Sequence, residues 1–418
     1  MTASNCHPPK RDPQRRMRVA TLPPGERSRA ALGLSSAAAE GRFALQTCTE
    51  CGHVQYPPRD ACSKCLSIEL KWRDVSPMGR LIAETTIRTS PTPYFRERMP
   101  WRVGTVQLDA GPSIICHLHR DCTAQGQVRV INRLDRSGQA VLIALPDIDA
   151  PNMEDAPLMR ELSSDPKRRR VLITDGRSEL ALALAKGLAD GGAATIFVGE
   201  SEGWRGNPLR EQLQAVSGVE LVPLDVTDTI SVTELAAEIG GKVDILINTA
   251  RFLRPGGILT REDAVFARQE VEVNYLGLLR LAQALGPAMR SRGADGVSNA
   301  VAWVNILSVY AFSNRPDLGG FSASNAAALS LSQCLRAEMR PGGIRVMNVF
   351  TGPTDDEWHQ PLPPPKVPAP AIAKAIVSGL RDGLEDVFVG DIAQDLIARW
   401  RADPKTLELE MTASGQDT

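Results

Sequence analysis

The sequence predicts a multidomain protein in which a zinc ribbon and a small β-barrel of the OB type precede a doubly wound α/β domain with a Rossmann-type parallel sheet. Two Cys-x-x-Cys pairs predict the ribbon. Short alternating or β-branched runs, separated by Pro, Gly and Asp, predict about five barrel strands after it. From Arg170 onward, short apolar strands alternate with helical stretches, as in a parallel, doubly wound sheet.

The bulk composition limits the classes of function. The chain has 418 residues, enough for two to three domains, and 43% of them are hydrophobic. A formal net charge of −1 gives no global attraction to nucleic acid or to a membrane surface. No apolar run approaches the roughly 18 residues of a membrane span, and no secretory signal is visible. We therefore expect a cytoplasmic protein that does not associate with membranes.

The same patterns define the expected domain boundaries. We expect a flexible tail at 1–41, the ribbon at 42–70, the barrel at 71–146, a linker at 147–169 and the α/β domain at 170–410. The tail is rich in Pro, Arg and Ala without a steady period. A transit peptide or a nucleic-acid-binding arm is the alternative, although Asp12 and Glu26 weaken it. Met17 is an alternative start.

The two cysteine pairs predict a metal site made of Cys48, Cys51, Cys62 and Cys65. Ten residues separate the pairs, so a short hairpin can bring the two knuckles to one tetrahedral zinc ion. Gly52 suits the tight turn that follows the first knuckle. A redox dithiol is the alternative, but two pairs at ribbon spacing argue against it. A site closed by four cysteines predicts structural zinc without catalysis.

Residues 42–146 resemble the zinc-ribbon plus OB-fold proteins of acyl-CoA metabolism that accompany thiolases. This resemblance implies docking on a thiolase-like partner and a share in its acyl-CoA site. OB folds also bind single-stranded nucleic acid through stacked aromatics, but lysines are sparse here, and we expect the aromatic rings to pack the barrel mouth or an interface. The residues that carry the resemblance are the four cysteines, Tyr56-Pro57-Pro58-Arg59, Gly79-Arg80-Leu81, Pro93-Tyr94-Phe95, Pro100-Trp101-Arg102-Val103 and the Val106–Gly111 strand and turn.

The stretch 304–325 resembles the active-site segment of the short-chain dehydrogenase/reductase family. A buried strand ends at Ser308, and a helix rich in small residues begins thirteen positions later. The resemblance implies that Ser308 and Asn274 keep family catalytic positions, whereas Phe321 and Asn325 replace the family's catalytic Tyr and Lys. The Tyr hydroxyl is the family's general acid/base, and Phe321 has no proton to give. The resemblance therefore predicts the fold without its main catalytic pair.

The cofactor cradle also departs from the family pattern, which is Thr-Gly-x-x-x-Gly-x-Gly. Only Thr174 is in register, and Asp175 and Glu179 stand at two of the glycine positions. A carboxylate about 4 Å from a phosphate charge costs on the order of 4 kcal/mol at an effective dielectric near 20. We therefore expect a loop that closes as a structural turn, which makes NAD(P) binding doubtful. The candidate cofactor-binding positions are Thr174, Gly176, Glu200, Asp225, Asn248 and Gly352.

Three hypotheses of function follow. The first is an accessory or scaffolding subunit in CoA-thioester (β-oxidation-like) metabolism, with structural zinc, an inactive dehydrogenase domain, and a thiolase-like or dehydrogenase subunit as partner in a homo- or hetero-oligomer. The second is an active NAD(P)-dependent oxidoreductase on a 3-hydroxyacyl-CoA that uses a substitute proton donor such as Tyr310. The third is an OB protein that binds single-stranded nucleic acid.

Overall fold

The computed structural model divides the chain into two compact units, described separately here. One unit comprises Thr21–Asp165 and Gly379–Asp386, and the other comprises Pro166–Ser378 and the chain from Val387 onward. Among the described residues, no helix combines the length and the apolar character that a bilayer crossing requires. The structure describes residues 21–148, 153–201, 207–293, 300–360, 362 and 364–413.

The first unit begins with a helix that we did not expect. Residues 1–20 of the expected tail lie outside the described residues, but α1 (Leu32–Ala39) buries Leu34, Ala37 and Ala38. The flexible-tail expectation is therefore wrong for this part of the chain. The sequence did not predict α1, because its small, alanine-rich side chains give only a weak apolar period. A short helix, α3 (Pro157–Leu162), likewise lies in the expected linker and buries Leu162.

The ribbon is a small antiparallel sheet that positions both cysteine pairs. Its strands are β1 (Ala44–Cys48), β2 (Val54–Gln55) and β3 (Leu70–Asp74), in the order β2-β1-β3. Gln55 holds the second knuckle: its Nε2 donates to Gln46 Oε1 at 3.0 Å, and its Oε1 accepts from Ser63 N at 2.9 Å. Gly52 adopts φ +69°, the left-handed conformation that the first knuckle requires.

The predicted barrel is present and closed. A short helix, α2 (Pro93–Arg96), follows its first strand, and the barrel order is β4-β5-β6-β8-β7. Tyr94 is buried, and Trp101 packs edge-on against Phe95 and His117, so these rings contribute to packing. The strands are β4 (Met78–Ile87), β5 (Trp101–Leu108), β6 (Ser113–Leu118), β7 (Gln127–Leu134) and β8 (Ala140–Pro146).

The second unit is the predicted doubly wound domain. Its seven-stranded sheet has the order β11-β10-β9-β12-β13-β14-β15, and the neighbouring pairs from β11 to β14 are parallel. The strands are β9 (Arg170–Ile173), β10 (Thr195–Glu200), β11 (Val219–Pro223), β12 (Ile245–Asn248), β13 (Ala302–Ser308), β14 (Arg345–Thr351) and β15 (Asp386–Val389). The helices are α4 (Glu179–Asp190), α5 (Arg210–Gln214), α6 (Thr229–Ile239), α7 (Val265–Val271), α8 (Leu278–Arg292), α9 (Gly319–Met339), α10 (Ala369–Asp382), α11 (Asp391–Ala402) and α12 (Pro404–Ala413).

The order in which strands are added to this parallel sheet reverses between β9 and β12. Strands β10 and β11 extend the sheet on one side of β9, and β12 begins the other side. Ligands of such folds bind at the carboxyl ends of the strands at this reversal. The predicted long helix near Glu270–Arg290 is divided into α7 and α8 by a π-helical turn, Glu272–Gly277, that carries Asn274 toward this edge.

Candidate functional site

A cleft of about 590 Å³ lies at the carboxyl ends of β9, β12 and β13. This volume is within the usual range for small-molecule sites. The loop after β9 forms one wall, the loop after β12 forms a second, and the segment 354–359 after β14, which we call the strap, forms a third. The cleft is lined by Asp175, Arg177, Ser178, Glu179, Leu180, Thr249, Arg251, Phe252, Leu253, Ile306, Thr354, Asp355, Asp356, Glu357, Trp358, Val367, Ala369 and Ile372.

The two positions of the family's catalytic pair are buried and structural. Phe321 is 1% exposed and packs with Leu253 and Tyr310 in a local apolar core. The Asn325 amide bonds to the backbone on both sides. Its Oδ1 accepts from Ser308 N at 2.9 Å, and its Nδ2 donates to Phe321 O at 2.9 Å. Asn325 therefore fixes the end of β13 to α9 instead of presenting a charge to a ligand.

The retained polar residues also bond inside the fold. Ser308 is buried at the end of β13, and its hydroxyl accepts from Tyr310 N at 3.2 Å. Asn274 exchanges hydrogen bonds with the backbone of Phe252, and its Nδ2 also donates to Ser324 Oγ at 2.9 Å. The fold thus brings Ser308 and Asn274 to the family's region, but each serves local geometry.

Tyr310, the expected substitute donor, is not among the residues that line the cleft. Its ring is 1% exposed in the same core as Phe321. Its hydroxyl lies 3.4 Å from Arg315 Nη1. Burial raises the pKa of Tyr310, and the neighbouring Arg315 opposes that shift. The phenol is therefore aimed at Arg315 rather than at the cleft.

The loop after β9 provides its own charges where a dinucleotide phosphate would lie. The Asp175 carboxylate accepts from Arg177 N at 3.0 Å and pairs with the Arg177 guanidinium. Ser178 caps α4 by accepting from Ala181 N, and Glu179 lies in the first helical turn. The positive end of the α4 dipole stabilises the negative charge of Glu179, as it would stabilise the charge of a bound phosphate.

Gly176 is required by close packing in this loop. Its N–H donates to Gly199 O at 2.8 Å, and an added Cβ would lie 2.5 Å from Val198 Cγ1. Thr174 Oγ1 donates to Asn248 Oδ1 at 2.8 Å and accepts from Thr249 N at 3.0 Å. These predicted cofactor residues therefore hold the β9 and β12 loops together.

The remaining predicted cofactor positions lie outside the cleft lining. Glu200 forms a short ion pair with Arg210. Asp225 accepts from both the N–H and the hydroxyl of Thr227. An added Cβ at Gly352 would lie 3.0 Å from the Ile392 side chain, so this glycine permits close packing of α11.

A partly buried ionic cluster, which the sequence did not predict, connects the β12 loop to the strap. Arg251 Nη2 lies 3.1 Å from Thr354 Oγ1, 3.1 Å from Asp356 Oδ2 and 3.3 Å from His359 Nδ1. Asp356 Oδ1 lies 2.8 Å from His359 Nδ1 and also accepts from the Trp358 and His359 N–H groups. The only sequence signal was the run of charged residues after Pro353.

Electrostatics at the cluster follow from this geometry. Burial lowers the pKa of Arg251, and the Asp356 charge opposes that shift. Burial alone would raise the pKa of Asp356, but the His359 hydrogen bond and the Arg251 charge hold it well below its usual range. A second arginine, Arg254, lies 3.4 Å from the centre of the Trp358 ring. Both arginines therefore pin the strap against the β12 loop.

The four ribbon cysteines meet the requirements of a zinc site. All four Sγ atoms lie within 4.8 Å of one another, with Cys48–Cys65 at 3.6 Å and Cys51–Cys62 at 3.7 Å. A tetrahedron with Zn–S bonds of about 2.3 Å requires S···S separations of about 3.8 Å. The backbone N–H of Cys65 is the largest of several causes that lower the pKa of Cys62 to about 6, whereas, against a backbone hydrogen bond that lowers it, the neighbouring thiols raise the pKa of Cys65 to about 12. The cluster supports structural zinc.

Three family models match consecutive parts of the chain. A ChsH2 rubredoxin-like zinc ribbon domain matches residues 35–70, and a ChsH2 C-terminal OB-fold domain matches residues 72–133. The short chain dehydrogenase model matches residues 169–366. The chain joins a ChsH2-type zinc ribbon and OB fold to a short-chain dehydrogenase domain.

Individual relatives agree with the dehydrogenase assignment. An uncharacterized oxidoreductase of Mycobacterium bovis is 30% identical over 206 residues, which is 47% of this chain and 58% of the relative. A 3-ketodihydrosphingosine reductase of Dictyostelium discoideum is 29% identical over 40% of this chain and 54% of its own length. The chain thus spans little more than half the length of these relatives.

One solved structure supports the same domain. A short-chain dehydrogenase from Burkholderia cenocepacia in complex with NADP is 29% identical. The match has a TM-score of 0.53 and covers 59% of this chain and 98% of that one. The short-chain dehydrogenase domain of our chain therefore retains the family fold around a cleft whose lining differs from the family's sequence pattern.

Proposed function

We propose that this protein is an accessory or scaffolding subunit in CoA-thioester (β-oxidation-like) metabolism. Its ChsH2-type module docks on a thiolase-like enzyme or a dehydrogenase subunit, and its dehydrogenase domain is silent as a nicotinamide-dependent enzyme. The observation that supports a silent dehydrogenase domain is the hydrogen bonding of Asn325, whose amide is bonded to Ser308 N and Phe321 O. A residue used in this way supplies neither a charge for the ribose nor support for a proton donor.

A dehydrogenase needs a group that transfers a proton to or from the substrate oxygen. Alcohol–carbonyl interconversion gains roughly 10²–10⁴ in rate from a positioned acid/base group. Phe321 has no ionisable group, and among the described residues the Ser308 hydroxyl bonds only to the backbone of Tyr310 and Thr351, neither of which is a base that could activate it. The Tyr310 hydroxyl is directed to Arg315. These contacts support a domain in which the chemical step has no proton donor.

The charges that line the cleft oppose the binding of a dinucleotide. Five carboxylates and two guanidinium groups line the cleft, a formal excess of three negative charges. Arg177 is paired with Asp175, and Arg251 is paired with Asp356, so neither cation is left to balance a pyrophosphate. Dinucleotide phosphates would also compete with Glu179 for the N-terminus of α4. This arrangement supports weak or absent NAD(P) binding.

The ChsH2-type module is the part of the chain that supports docking on a partner protein. The resemblance to thiolase-accompanying proteins implies a docking role, and the barrel exposes isoleucine side chains that a partner would cover. Ile82 on β4 and Ile115 on β6 are 51% and 67% exposed, on two strands that flank β5. Exposed apolar side chains close together are typical of protein interfaces.

An active oxidoreductase remains the second candidate, because one observation favours it. The cleft keeps a volume of about 590 Å³, and the similar Burkholderia protein holds NADP. This candidate requires a substitute proton donor that reaches the cleft.

Calorimetric titration with NADH and NADPH separates the two candidates. We expect no measurable heat of binding and no reduction of a 3-oxoacyl-CoA by either cofactor. Turnover by the isolated chain would contradict the silent-domain proposal and favour the oxidoreductase. A zinc-loaded preparation with the expected helix content serves as the folding control.

Docking is tested separately by co-elution with a purified thiolase-like enzyme from the same organism. We expect Ile115→Glu to weaken co-elution, because a charge in an apolar interface loses its hydration without gaining a partner. Ile230→Glu on α6 is the matched control, since Ile230 is also 67% exposed. Equal co-elution of the wild type and both variants would exclude this face as the interface, and no complex with the wild type would contradict the docking role.

A further inference from the structure

We propose that the cleft of the dehydrogenase domain binds an uncharged, largely apolar molecule that presents one carbonyl oxygen to the Arg251 guanidinium. This inference rests on the proposed function in one respect, namely that a nicotinamide dinucleotide does not occupy the cleft. It names what the altered site accepts instead.

The first observation is the apolar interior of the cleft. Side chains from four separate segments of the domain contribute to it, and they surround a space of about 590 Å³. Small-molecule sites of this size are mainly apolar and contain a few polar groups that orient the ligand. The apolar lining residues are Leu180, Phe252, Leu253, Ile306, Val367 and Ile372.

The second observation is the incomplete bonding of Arg251. Every hydrogen bond that this side chain makes with the described residues comes from Nη2. Its Nη1 and Nε groups have no acceptor in the part of the chain that the structure describes. The guanidinium carbon lies 5.5 Å from the centre of the Phe321 ring, and the side chain is 23% exposed. A ligand oxygen would complete the bonding of this partly desolvated cation.

The third observation concerns the neutral donors that line the cleft. Two of them remain available, because, among the described residues, the Ser178 hydroxyl acts only as an acceptor and the Trp358 indole N–H has no acceptor. Ser178 accepts from Ala181 N as the cap of α4, and Thr249 Oγ1 donates to Asp175 O at 3.0 Å. Thr354 Oγ1 donates to Asp356. A carbonyl oxygen gains more from the charged Arg251 donor than from these neutral donors, because hydrogen bonds from an ionised group are roughly twice as strong.

The fourth observation is the charge of the rim, which selects against anionic head groups. Glu179, Asp355 and Glu357 add three carboxylates beyond the two that pair with Arg177 and Arg251. An anionic head group would be repelled by these carboxylates. A quaternary ammonium head group would be attracted to them, but it has no lone pair with which to accept a hydrogen bond from Arg251. A neutral carbonyl accepts a hydrogen bond from a cation without that repulsion.

Probes with one chain and different head groups test this selection. The probes are 2-decanone, decanoate and decyltrimethylammonium, each titrated by calorimetry into the full-length protein. We expect 2-decanone to bind at least tenfold more tightly than either ion. Failure of 2-decanone to bind, or equal or tighter binding of either ion, would overturn the proposal.

Variants test the role of Arg251. We expect Arg251→Met to weaken 2-decanone binding about tenfold or more, as the loss of a hydrogen bond from a charged donor predicts. Arg251→Lys keeps a charged donor and is expected to retain more affinity. Arg268→Met removes an exposed arginine of α7 and should leave binding unchanged. Unchanged affinity in Arg251→Met would contradict the assignment.

A second variant keeps the test decisive if Arg251→Met fails to fold. Leu180→Trp adds bulk to the cleft wall at the start of α4 and should abolish 2-decanone binding. Full binding by this variant would place the ligand elsewhere and overturn the inference. An NADPH titration on the same samples separates the two proposals. Tight NADPH binding contradicts the proposed function, whereas binding of neither NADPH nor 2-decanone contradicts the inference alone.

Discussion

A single amide shows how a catalytic position becomes a structural one. The family's Lys presents a charge to its cofactor, whereas Asn325 is 4% exposed and bonds to two backbone groups. Those bonds satisfy an N–H and a carbonyl that would otherwise be buried without partners. Asn325 thus links β13 to α9, and under the proposed function this link replaces the family's cofactor contact.

Removal of this link should destabilise the domain. Asn325→Ala leaves Ser308 N without its partner, which costs about 1–3 kcal/mol of unfolding free energy for a buried group. Gln333→Ala, at an exposed position of the same helix, should change the unfolding free energy by less than about 0.5 kcal/mol. Urea denaturation followed by circular dichroism gives both values. Equal stability of the two variants would mean that water replaces the amide at no cost.

The Arg251–Asp356 pair makes a prediction about pH. A carboxyl whose pKa is depressed in the folded state stabilises that state above its unfolded pKa of about 3.9 and loses the effect as pH falls through the lower folded pKa. Asp356 has such a depressed pKa, set by His359, Arg251 and Thr354 against the effect of burial. Arg251→Met should move the loss of strap order to higher pH than in the wild type.

Amide hydrogen exchange of residues 354–359, corrected for the intrinsic pH dependence, measures this effect. We expect the wild-type strap to remain protected between pH 7 and pH 4. Arg268→Met should follow the wild-type profile. Coincident profiles for Arg251→Met and the wild type would show that Asp356 does not depend on Arg251.

The sequence predicted those parts of the site that depend on local spacing, but it did not predict contacts between residues far apart in the chain. Phe321 and Asn325 could be found from the sequence because their spacing from Ser308 is local. The Arg251–Asp356 contact joins residues 105 positions apart, so no local period or motif reveals it. The cofactor positions Glu200 and Asp225 were found by register, but their partners Arg210 and Thr227 decide what their carboxylates do.

At the scale of elements, the strap is the part of the domain that the family pattern did not describe. It follows β14, where Thr354 also bridges to Val367, and it is held from the β12 loop by Arg251 and by the stacking of Arg254 on Trp358. These contacts place a charged turn along one wall of the cleft.

The ribbon makes the element-scale prediction. Its strands β2 and β3 are short and only partly buried, so the metal should provide much of the stability of the knuckles. We expect one zinc per chain in the wild type and less than one in Cys62→Ser after exposure to a chelator, measured by elemental analysis. Cys334→Ser, at an exposed cysteine of α9, should keep one zinc. Full zinc in Cys62→Ser, or iron in place of zinc, would contradict the assignment.

Elements with strong periods were predictable, and short or interrupted ones were not. The barrel strands and the parallel sheet follow from alternation and apolar runs. The alanine-rich α1 has little amphipathic contrast, and α3 begins at Pro157, which a sequence pattern marks as a break. The π-helical turn at Asn274 depends on tertiary packing, since Gly277 approaches the Val226 side chain there.

At the scale of the whole molecule, the ChsH2-type module and the dehydrogenase domain both retain their folds, but their site residues are used differently. The ChsH2-type module keeps its four metal ligands together, whereas the dehydrogenase domain keeps its sheet and cleft but uses the charged and catalytic positions internally. Fold retention with altered site residues is the arrangement in which function has to be argued from the site rather than from the fold.

Restoration of the family residues tests whether the fold itself still accepts a dinucleotide. Asp175→Gly and Glu179→Gly remove two carboxylates, each of which costs on the order of 4 kcal/mol beside a phosphate. Arg251→Gly releases the strap, and Asn325→Lys returns the ribose-binding charge. We expect the combined variant to bind NADPH at least a hundredfold more tightly than the wild type, as calorimetry would measure. Glu234→Gln with Glu238→Gln, at exposed positions of α6, removes the same number of acidic charges and should leave binding unchanged. A folded combined variant that still fails to bind NADPH would mean that the backbone of the cleft, and not only its side chains, has diverged from the cofactor site.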